Sequence, residues 1–363
     1  MTLPFYVYLL ATASSSFVTA LTLPLWRGWC ARIGLVDDPG HRKIHAEPIP
    51  LAGGLAVMTG LAIPLAAAIL LLKLQLFEAN TVNLLSHGVS RRALELGTIF
   101  LGALGMVILG WLDDKHELRP AVKFIGQLAI AGLTAAAGVR ITLFVHSVPF
   151  SYLMTILWIL TVTNAFNFMD NMNGLCAGVG AISAACFAVV AATQDQYLVA
   201  LIAFLVCGAL VGFLPYNFPR ASAFLGDTGS HLIGYLLAVL AILPHFYSRK
   251  NPHAWAVLSP LLILAVPLGD LVWVVILRWR IGQPFYIGDN NHLSHRLVRR
   301  GLTKKMAVVW IWLLAALLGG VAVLLDLGFP PHVGGSERGS VGASRRTLGR
   351  SDVYFWENSK HCG

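Results

Sequence analysis

Long apolar blocks, separated by short polar segments, run through most of this sequence. Most blocks are close to the roughly 20 residues that a helix needs to cross the hydrocarbon core of a bilayer. Only 12% of the residues are charged, whereas about 25% are charged in an ordinary soluble domain. In lipid, only helices and closed barrels satisfy the backbone, and barrel strands alternate apolar and polar residues. These blocks do not alternate, so the chain is predicted to be an all-α polytopic membrane protein.

Ten blocks are predicted to be transmembrane helices, and ten crossings divide the connecting segments between two faces of the membrane. The spans are 3–25, 51–72, 95–112, 123–138, 150–163, 175–192, 197–214, 229–246, 256–277 and 305–326. The segments on one face, here called side A, are 26–50, 113–122, 164–174, 215–228 and 278–304. Side A carries more than twice as many Lys and Arg residues as the opposite face, side B. The positive-inside rule therefore predicts that side A is cytoplasmic.

Acidic residues also cluster on side A. Because Asp and Glu have little influence on topology, the orientation of the chain does not explain this cluster. A polar site at the cytoplasmic face of the membrane does. The net charge of +9 is attributed to orientation and to anionic lipid headgroups, and no nucleic-acid partner is expected.

Residues 1–326 are predicted to form a single integral-membrane domain. The first block lacks a basic start and a small-residue cleavage site, so it is interpreted as a membrane helix rather than a signal peptide. Residues 327–363 are polar and lack helical periodicity, and they are expected to be disordered. The five cysteines include no CxxC pair, which argues against a disulfide framework or a zinc site.

Two adjacent carboxylates, Asp113 and Asp114, end the third apolar block. A solvated helix terminus is the simple explanation. However, the helix dipole disfavours acidic groups at a C-terminus. A divalent cation or a proton-transfer role would offset that cost.

Segment 164–174 has four Asn side chains and one carboxylate between two apolar blocks. Asn and Gly favour turns, so a plain turn is the alternative here. Asn167, Asp170 and Asn173 recur every three residues, however, and are expected to share one face of a helical turn. That face would offer oxygen ligands to Mg²⁺ and hydrogen-bonding groups to a sugar or a base.

Asp227 stands at the start of the eighth block, together with Thr228 and Ser230. This composition is typical of a helix N-terminus, where a carboxylate is favoured, so simple capping is one interpretation. The glycines around Asp227 would also let the backbone approach a phosphate or a metal closely.

Imidazole and basic side chains come together in a further side-A segment, at His292, His295 and Arg296. They combine phosphate-binding and proton-handling groups, although the basic residues that follow are explained equally well by topology alone. A weaker signal of the same kind comes from the first side-A segment, with Arg42, Lys43 and His45.

Lys123 and Gln127, one helical turn apart, are weak signals when taken singly. Together, however, the side-A segments supply carboxylates and amides for a metal ion and cations for phosphates. This combination favours metal-assisted phosphoryl transfer between a phosphate-rich donor from the water phase and a lipid acceptor. An ion-coupled transporter is the competing class, but its ionisable groups would more naturally lie near the bilayer midplane. An inactive scaffold is a third alternative.

With five separated motifs in the same order over about residues 30–305, the sequence resembles the polyprenyl-phosphate N-acetylhexosamine-1-phosphate transferases. The resemblance implies a bacterial inner-membrane protein of ten or eleven helices, with a cytoplasmic-face active site that uses Mg²⁺ or, as a substitute, Mn²⁺. It implies transfer of N-acetylhexosamine 1-phosphate from a UDP-N-acetylhexosamine to undecaprenyl phosphate, which releases UMP and initiates a cell-envelope polysaccharide. Membrane lipid and a second copy of the chain, as a homodimer, are further implied partners.

The resemblance also implies roles for individual residues, with Asp113 deprotonating or orienting the lipid phosphate. The implied metal ligands are Asp227 and Asn167. The implied catalytic residues are Asp113, Asp114, Lys123, His292 and His295. The implied substrate-binding residues are Arg42, Lys43, His45, Asn164, Asp170, Asn173, Asn217 and Arg296.

Several alternatives stay open at this point. Direct attack by the lipid phosphate is preferred, but a two-step route through an aspartyl-phosphate is the alternative. The first side-A segment resembles the branch that transfers N-acetylglucosamine, and UDP-MurNAc-pentapeptide is the second candidate donor. The sequence departs from the family pattern at Asn171, where many relatives have Gly, and at Ser294, where many have His.

Overall fold

The computed structural model describes residues 3–37, 48–142, 147–244, 257–283 and 291–327, and this part of the chain is almost entirely helical. The helices are α1 (Phe5–Arg32), α2 (Gly53–Lys73), α3 (Ala79–Arg91), α4 (Ala93–His116), α5 (Pro120–Ala136), α6 (Val148–Met169), α7 (Leu175–Thr193), α8 (Tyr197–Asn217), α9 (Gly226–Leu240), α10 (Ser259–Ile263), α11 (Ala265–Arg280), α12 (Leu293–Arg299) and α13 (Lys304–Asp326). Two short strands, β1 (Val36–Asp37) and β2 (Ile49–Pro50), pair antiparallel. The predicted all-α membrane fold is confirmed. The tail that was predicted to be disordered lies, from residue 328 onwards, outside the described residues.

Each of the ten predicted spans coincides with a helix or a pair of helices. Among the described helices, seven are long and apolar enough to cross a bilayer, namely α1, α2, α4, α6, α7, α8 and α13. The helices α5, α9 and α11 have 17, 15 and 16 residues. The chain is therefore a multi-pass membrane protein, while the count of ten crossings stays a prediction.

Two local features differ from the predicted spans. The ninth span, 256–277, is divided into α10 and α11 at Leu264. Pro267 explains the break, because proline has no N–H to donate to Ile263 four residues earlier and its ring clashes with that carbonyl. The side-B segment between the second and third spans also contains a helix, α3, which buries only Thr81 and Leu85.

The helix α9 is the centre of the bundle. Every residue from Thr228 to Leu240 is buried, and α9 packs against α2, α4, α6, α7 and α8. Glycines make the close approach possible: a Cβ on Gly110 of α4 would overlap the backbone of Thr228, and a Cβ on Gly54 of α2 would overlap Gly229. Small residues at helix contacts are typical of membrane proteins, where packing rather than water exclusion drives association.

The outer helices expose large apolar side chains, among them Trp310 and Leu317 of α13 and Trp279 of α11. In water such a surface would be costly, whereas lipid tails solvate it. The buried α9 and the lipid-facing outer helices together place the N-terminus of α9 at one end of the bundle, beside the ends of α4 and α6. The side-A motifs meet there.

Candidate functional site

Two carboxylates and one ammonium group form the centre of the site. The Lys123 Nζ atom lies 2.7 Å from Asp113 Oδ2 and 2.9 Å from Asp227 Oδ2. These three residues come from the end of α4, the start of α5 and the start of α9. The Asp113 side chain is 8% exposed and that of Asp227 is 33% exposed. Asp227 is therefore the carboxylate of this pair that a soluble ligand reaches more easily.

Asn167, in the last turn of α6, completes this centre. Its amide Nδ2 donates hydrogen bonds to Asp227 Oδ1 at 2.5 Å and to Ser230 Oγ at 3.0 Å. Asp227 also lies in the first turn of α9, where the helix dipole favours a carboxylate. Lys123 and Asn167 thus contact Asp227 directly, and Asp113 joins them through Lys123.

Asp114 has a different place from its neighbour Asp113. It accepts hydrogen bonds from the backbone N–H groups of Asp227 at 2.7 Å and Thr228 at 3.0 Å, and from Thr228 Oγ1 at 2.6 Å. This arrangement needs Gly226, whose φ is +71° and whose Cβ would lie 2.6 Å from Asp114 Oδ2. Asp114 therefore anchors the N-terminus of α9, and its predicted catalytic role stays a prediction.

The segment after α6 does not continue as a helical turn. Because α6 ends at Met169, the expectation that Asn167, Asp170 and Asn173 share one helical face is wrong. Asn173, beyond the helix end, instead donates from Nδ2 to the Pro219 carbonyl at 3.3 Å. Gly174 adopts a φ of +76°, a conformation that glycine reaches without strain, and the chain turns directly into α7. The preference of Asn and Gly for turns, rather than the spacing of three, decided this structure.

Asp170 lies just beyond α6. Burial, together with the nearby carboxylates of Asp227 and Asp114, raises the pKa of Asp170 to about 8. A neutral Asp170 can donate as well as accept a hydrogen bond. Its contact with a substrate stays a prediction.

Two predicted substrate-binding asparagines support the site from within the bundle. Asn217, which is 4% exposed, accepts from the Gly174 N–H at 2.6 Å and donates to the Ala223 carbonyl at 2.9 Å. Asn164, one turn before Asn167, donates to Gln127 Oε1 at 2.8 Å. Both side chains connect elements of the protein, so their contact with a substrate stays a prediction.

The short helix α12 brings His292, His295 and Arg296 beside the end of α6. The rings of His292 and Phe168 meet edge to face, with centroids 6.2 Å apart. The His295 ring is 6.4 Å from that of His292, and burial lowers the pKa of His295. The Arg296 guanidinium stacks on the Trp273 ring at 4.3 Å, a cation–π contact that directs it toward α11.

Ser294 and Asn171, the two departures from the family pattern, contact each other. The Ser294 hydroxyl donates to Asn171 Oδ1 at 2.6 Å, and Ser294 is 1% exposed. Sequence reasoning noted both positions separately but did not pair them, because they are 123 residues apart.

The first side-A segment contributes the remaining predicted residues, Arg42, Lys43 and His45, and they lie outside the described residues. The flank of that segment is tied to the site, since Phe224 N–H donates to the Pro50 carbonyl at 3.0 Å.

Two buried groups were assigned no role from the sequence. Asp270 of α11 bonds to His292, and its position inside an apolar block is the signal that could have identified it, because carboxylates in membrane helices are rarely without function. His231, one turn after Asp227 on α9, is fully buried, and neither of its ring nitrogens has a hydrogen-bond partner among the described residues.

The oxygen ligands of the centre fit a hard divalent cation. The described part of the chain holds no group of three or more His, Cys, Asp or Glu side chains placed around a metal ion. Mg²⁺ does not require one, because it is commonly bound by one or two carboxylates and completed by water and substrate phosphates. Asp227 supplies an accessible carboxylate, and the Asn167 amide beside it carries a further oxygen.

Comparison with known proteins shows the family to which the chain belongs. The sequence model of glycosyl transferase family 4 matches residues 96–245, the part that holds Asp113, Lys123, Asn167 and Asp227. A "probable undecaprenyl-phosphate N-acetylglucosaminyl 1-phosphate transferase" of Bacillus subtilis is 32% identical over 321 residues, which cover 85% of this chain and 83% of that protein. The decaprenyl-phosphate N-acetylglucosaminephosphotransferase of Mycobacterium tuberculosis is 32% identical over 309 residues, covering 78% of this chain and 74% of that protein.

The undecaprenyl-phosphate alpha-N-acetylglucosaminyl 1-phosphate transferase of Escherichia coli K12 is 28% identical over 325 residues, covering 85% of this chain and 81% of that protein. The helical bundle and these similarities define a multi-pass membrane transferase. The chain belongs to glycosyl transferase family 4, among the polyprenyl-phosphate N-acetylhexosamine-1-phosphate transferases that its motifs resembled.

Proposed function

We propose that this protein transfers N-acetylglucosamine 1-phosphate from UDP-N-acetylglucosamine to undecaprenyl phosphate, in a Mg²⁺-dependent reaction that releases UMP. The observation that carries the proposal is the convergence of Asp113, Lys123, Asn167 and Asp227 at one end of the bundle. The relatives in Bacillus subtilis and Escherichia coli are named for undecaprenyl phosphate and N-acetylglucosamine. These names favour N-acetylglucosamine over the alternative donor, UDP-MurNAc-pentapeptide.

The proposed reaction is a single displacement. An oxygen of the lipid phosphate attacks the β-phosphorus of the donor, the phosphorus that bears the sugar, and a new P–O bond forms. The bond from this phosphorus to the oxygen that bridges it to the α-phosphate breaks. UMP leaves with that oxygen and its electron pair, and the sugar remains on a lipid diphosphate.

The protein contributes charge and position to this step. Lys123 supplies a fixed positive charge between Asp113 and Asp227, where it would neutralise phosphate oxygens that gather negative charge during transfer. Asp113 accepts the proton of a lipid phosphate that binds in its protonated form, and otherwise orients it. Asp114 is less suited to this task, because three donors from α9 already occupy its oxygens.

Asp227 and Asn167 are the residues that would hold Mg²⁺, and the bound ion would neutralise the diphosphate of the donor. Asp170 and Asn173 are proposed to contact the nucleotide-sugar, together with His292 and His295 of α12. The side-A location of these groups and the excess of Lys and Arg on side A support a site that faces the cytoplasm, in the inner membrane of a bacterium.

The proposal is tested with the purified full-length chain, undecaprenyl phosphate, Mg²⁺ and a panel of UDP-sugars that includes UDP-MurNAc-pentapeptide. UMP release and the mass of the lipid product are measured. UDP-N-acetylglucosamine is expected to give UMP and an undecaprenyl diphosphate-linked N-acetylglucosamine in equal amounts. Product from UDP-MurNAc-pentapeptide alone would replace the proposed donor, and an absence of UMP with every donor would overturn the activity.

The same preparation distinguishes single from double displacement. With the donor alone, a single displacement gives no UMP and no phosphorylated protein, since the lipid itself is the nucleophile. A covalent phospho-enzyme isolated from donor without lipid would overturn the direct route and favour an aspartyl-phosphate.

A further inference from the structure

A buried carboxylate on α11 is bonded to the start of α12. Asp270 is 9% exposed and lies inside an apolar helix. Its Oδ2 atom is 2.7 Å from His292 Nδ1, and its Oδ1 atom accepts from the Leu293 N–H at 2.6 Å. Removing a carboxylate from water costs several kcal/mol unless hydrogen bonds compensate. Here both oxygens of Asp270 have a hydrogen-bond partner: one contacts the His292 ring and the other the backbone N–H of Leu293.

This geometry fixes which ring nitrogen of His292 carries the proton. A carboxylate only accepts hydrogen bonds, so Nδ1 must be the donor. In the neutral ring, Nε2 is then the nitrogen that can accept a proton or a hydrogen bond. Two further contacts hold the ring and its helix in place: Phe168 packs edge to face against His292, and Ser294 bonds to Asn171.

The held ring packs on Phe168, the neighbour in sequence of a residue of the charged centre. Phe168 follows Asn167, and Asn167 bonds to Asp227. Capping of α12 explains only one of the two oxygens of Asp270, because the Leu293 N–H needs a single acceptor. The second oxygen bonds to the His292 ring, and this bond does not contribute to capping the helix.

We propose that Asp270 is a positioning residue of the transfer reaction, which holds His292 as its Nδ1–H tautomer and leaves Nε2 for the substrate. The inference rests on the proposed function for the reaction that His292 serves. The tautomer of the His292 ring is inferred from the hydrogen bonds of Asp270 and does not depend on the proposed function. The pairing of a histidine with a carboxylate that sets its tautomer is a recurrent device at sites where imidazole must act through one defined nitrogen.

Asp270→Asn is the decisive variant because it keeps the size of the side chain and removes one acceptor. If the amide oxygen stays on the Leu293 N–H, the amide N–H₂ group faces His292 Nδ1. That nitrogen must then accept, and the proton moves to Nε2. In this variant we therefore expect His292 to adopt the opposite tautomer, with little change in packing.

The experiment uses the full-length protein with Asp270→Asn, His292→Ala, and both changes together. Asp270→Asn is expected to lower kcat about 10- to 100-fold, with the KM for UDP-N-acetylglucosamine within about threefold. The double variant is expected to be no less active than His292→Ala, because Asp270 acts through His292. In protein labelled with ¹⁵N-histidine, the His292 resonances, assigned by their loss in His292→Ala, should change from the Nδ1–H to the Nε2–H pattern.

Asp326→Asn is the matched control, because Asp326 is also a buried carboxylate of an apolar helix, is 3% exposed, and accepts a hydrogen bond from Gln194 at 3.2 Å. It should leave kcat and the His292 resonances unchanged. An unchanged tautomer in Asp270→Asn, an unchanged kcat, or an additional loss in the double variant would each overturn the proposal. If the wild-type protein releases no UMP, the proposed function fails, while the ¹⁵N pattern still decides whether Asp270 sets the ring.

Discussion

The two ends of the candidate site are built in different ways. At the α4–α9 contact, glycines bring two long helices together, and Asp114 alone accepts three hydrogen bonds from the start of α9. At the α12 contact, a helix of seven residues is held by side chains from two other elements, Asp270 and Asn171. The first end is fixed by backbone packing, whereas the second combines packing of α12 against α13 with a few separate hydrogen bonds. A substitution should therefore disturb folding at the first end and chiefly chemistry at the second.

The largest effect is expected at the charged centre itself. Asp227→Asn removes the accessible carboxylate that pairs with Lys123 and that would bind Mg²⁺. Transfer should fall at least about 10³-fold, because several kcal/mol of charge stabilisation are lost. UMP release by the purified variant measures this loss.

Glu95→Gln, at the opposite end of α4 and paired only with exposed Arg92 among the described ion pairs, is the control and should remain active. Near-normal transfer by a folded Asp227→Asn protein would remove Asp227 from the proposed metal site.

The second effect tests the α12 end. His292→Ala should lower kcat about 10²-fold, as expected when a proton-handling side chain is removed. His295→Ala should have a smaller effect, because His292 is held in a defined orientation by Asp270 and Phe168. Thermal unfolding of both variants should resemble that of the wild type. A mild loss of activity in both variants would show that this segment serves the orientation of the chain in the membrane rather than the reaction.

The third effect separates folding from chemistry at the α4–α9 contact. Gly226→Ala places a Cβ against Asp114 and forces a side chain into a left-handed backbone conformation. The conformation alone costs about 1–2 kcal/mol, so the midpoint of thermal unfolding should fall.

Gly97→Ala is the matched control, since it lies in α4 and a Cβ there meets no atom within 4 Å. It should unfold at or above the wild-type temperature, because alanine is the better helix former. Equal midpoints for the two variants would show that the contact between Asp114 and the start of α9 is not rigid.

The smallest effect concerns the pair that departs from the family pattern. Ser294→Ala removes one hydrogen bond to Asn171, worth about 1 kcal/mol. We expect this energy to be lost from the transition state, so that kcat falls roughly fivefold. The change in kcat is measured for Ser294→Ala, for Asn171→Ala and for the double variant. If the two single losses add independently, the two side chains do not act as a pair.

Much of the fold could be predicted from the sequence because a bilayer restricts it so strongly. Nine of the ten apolar blocks correspond to one helix each and the ninth block to a pair, since no other element short of a closed barrel satisfies the backbone in lipid. The break before Pro267 depended on a local rule that the block lengths did not include. The helix α3 was missed because its residues are too polar to resemble a membrane span.

The sequence by itself identified the chemical groups that meet in the candidate site, and through the positive-inside rule it predicts that they face the cytoplasm. Asp113, Lys123, Asn167 and Asp227 were recognisable from their positions at the ends of apolar blocks. Only the tertiary structure decided which partner each group contacts: it placed Asp113 beside Lys123 and Asp114 against the start of α9, and it paired Asp270 with His292. The physical reason is that burial and hydrogen-bond partners are set by packing between distant helices, and a residue's spacing along the chain does not encode them.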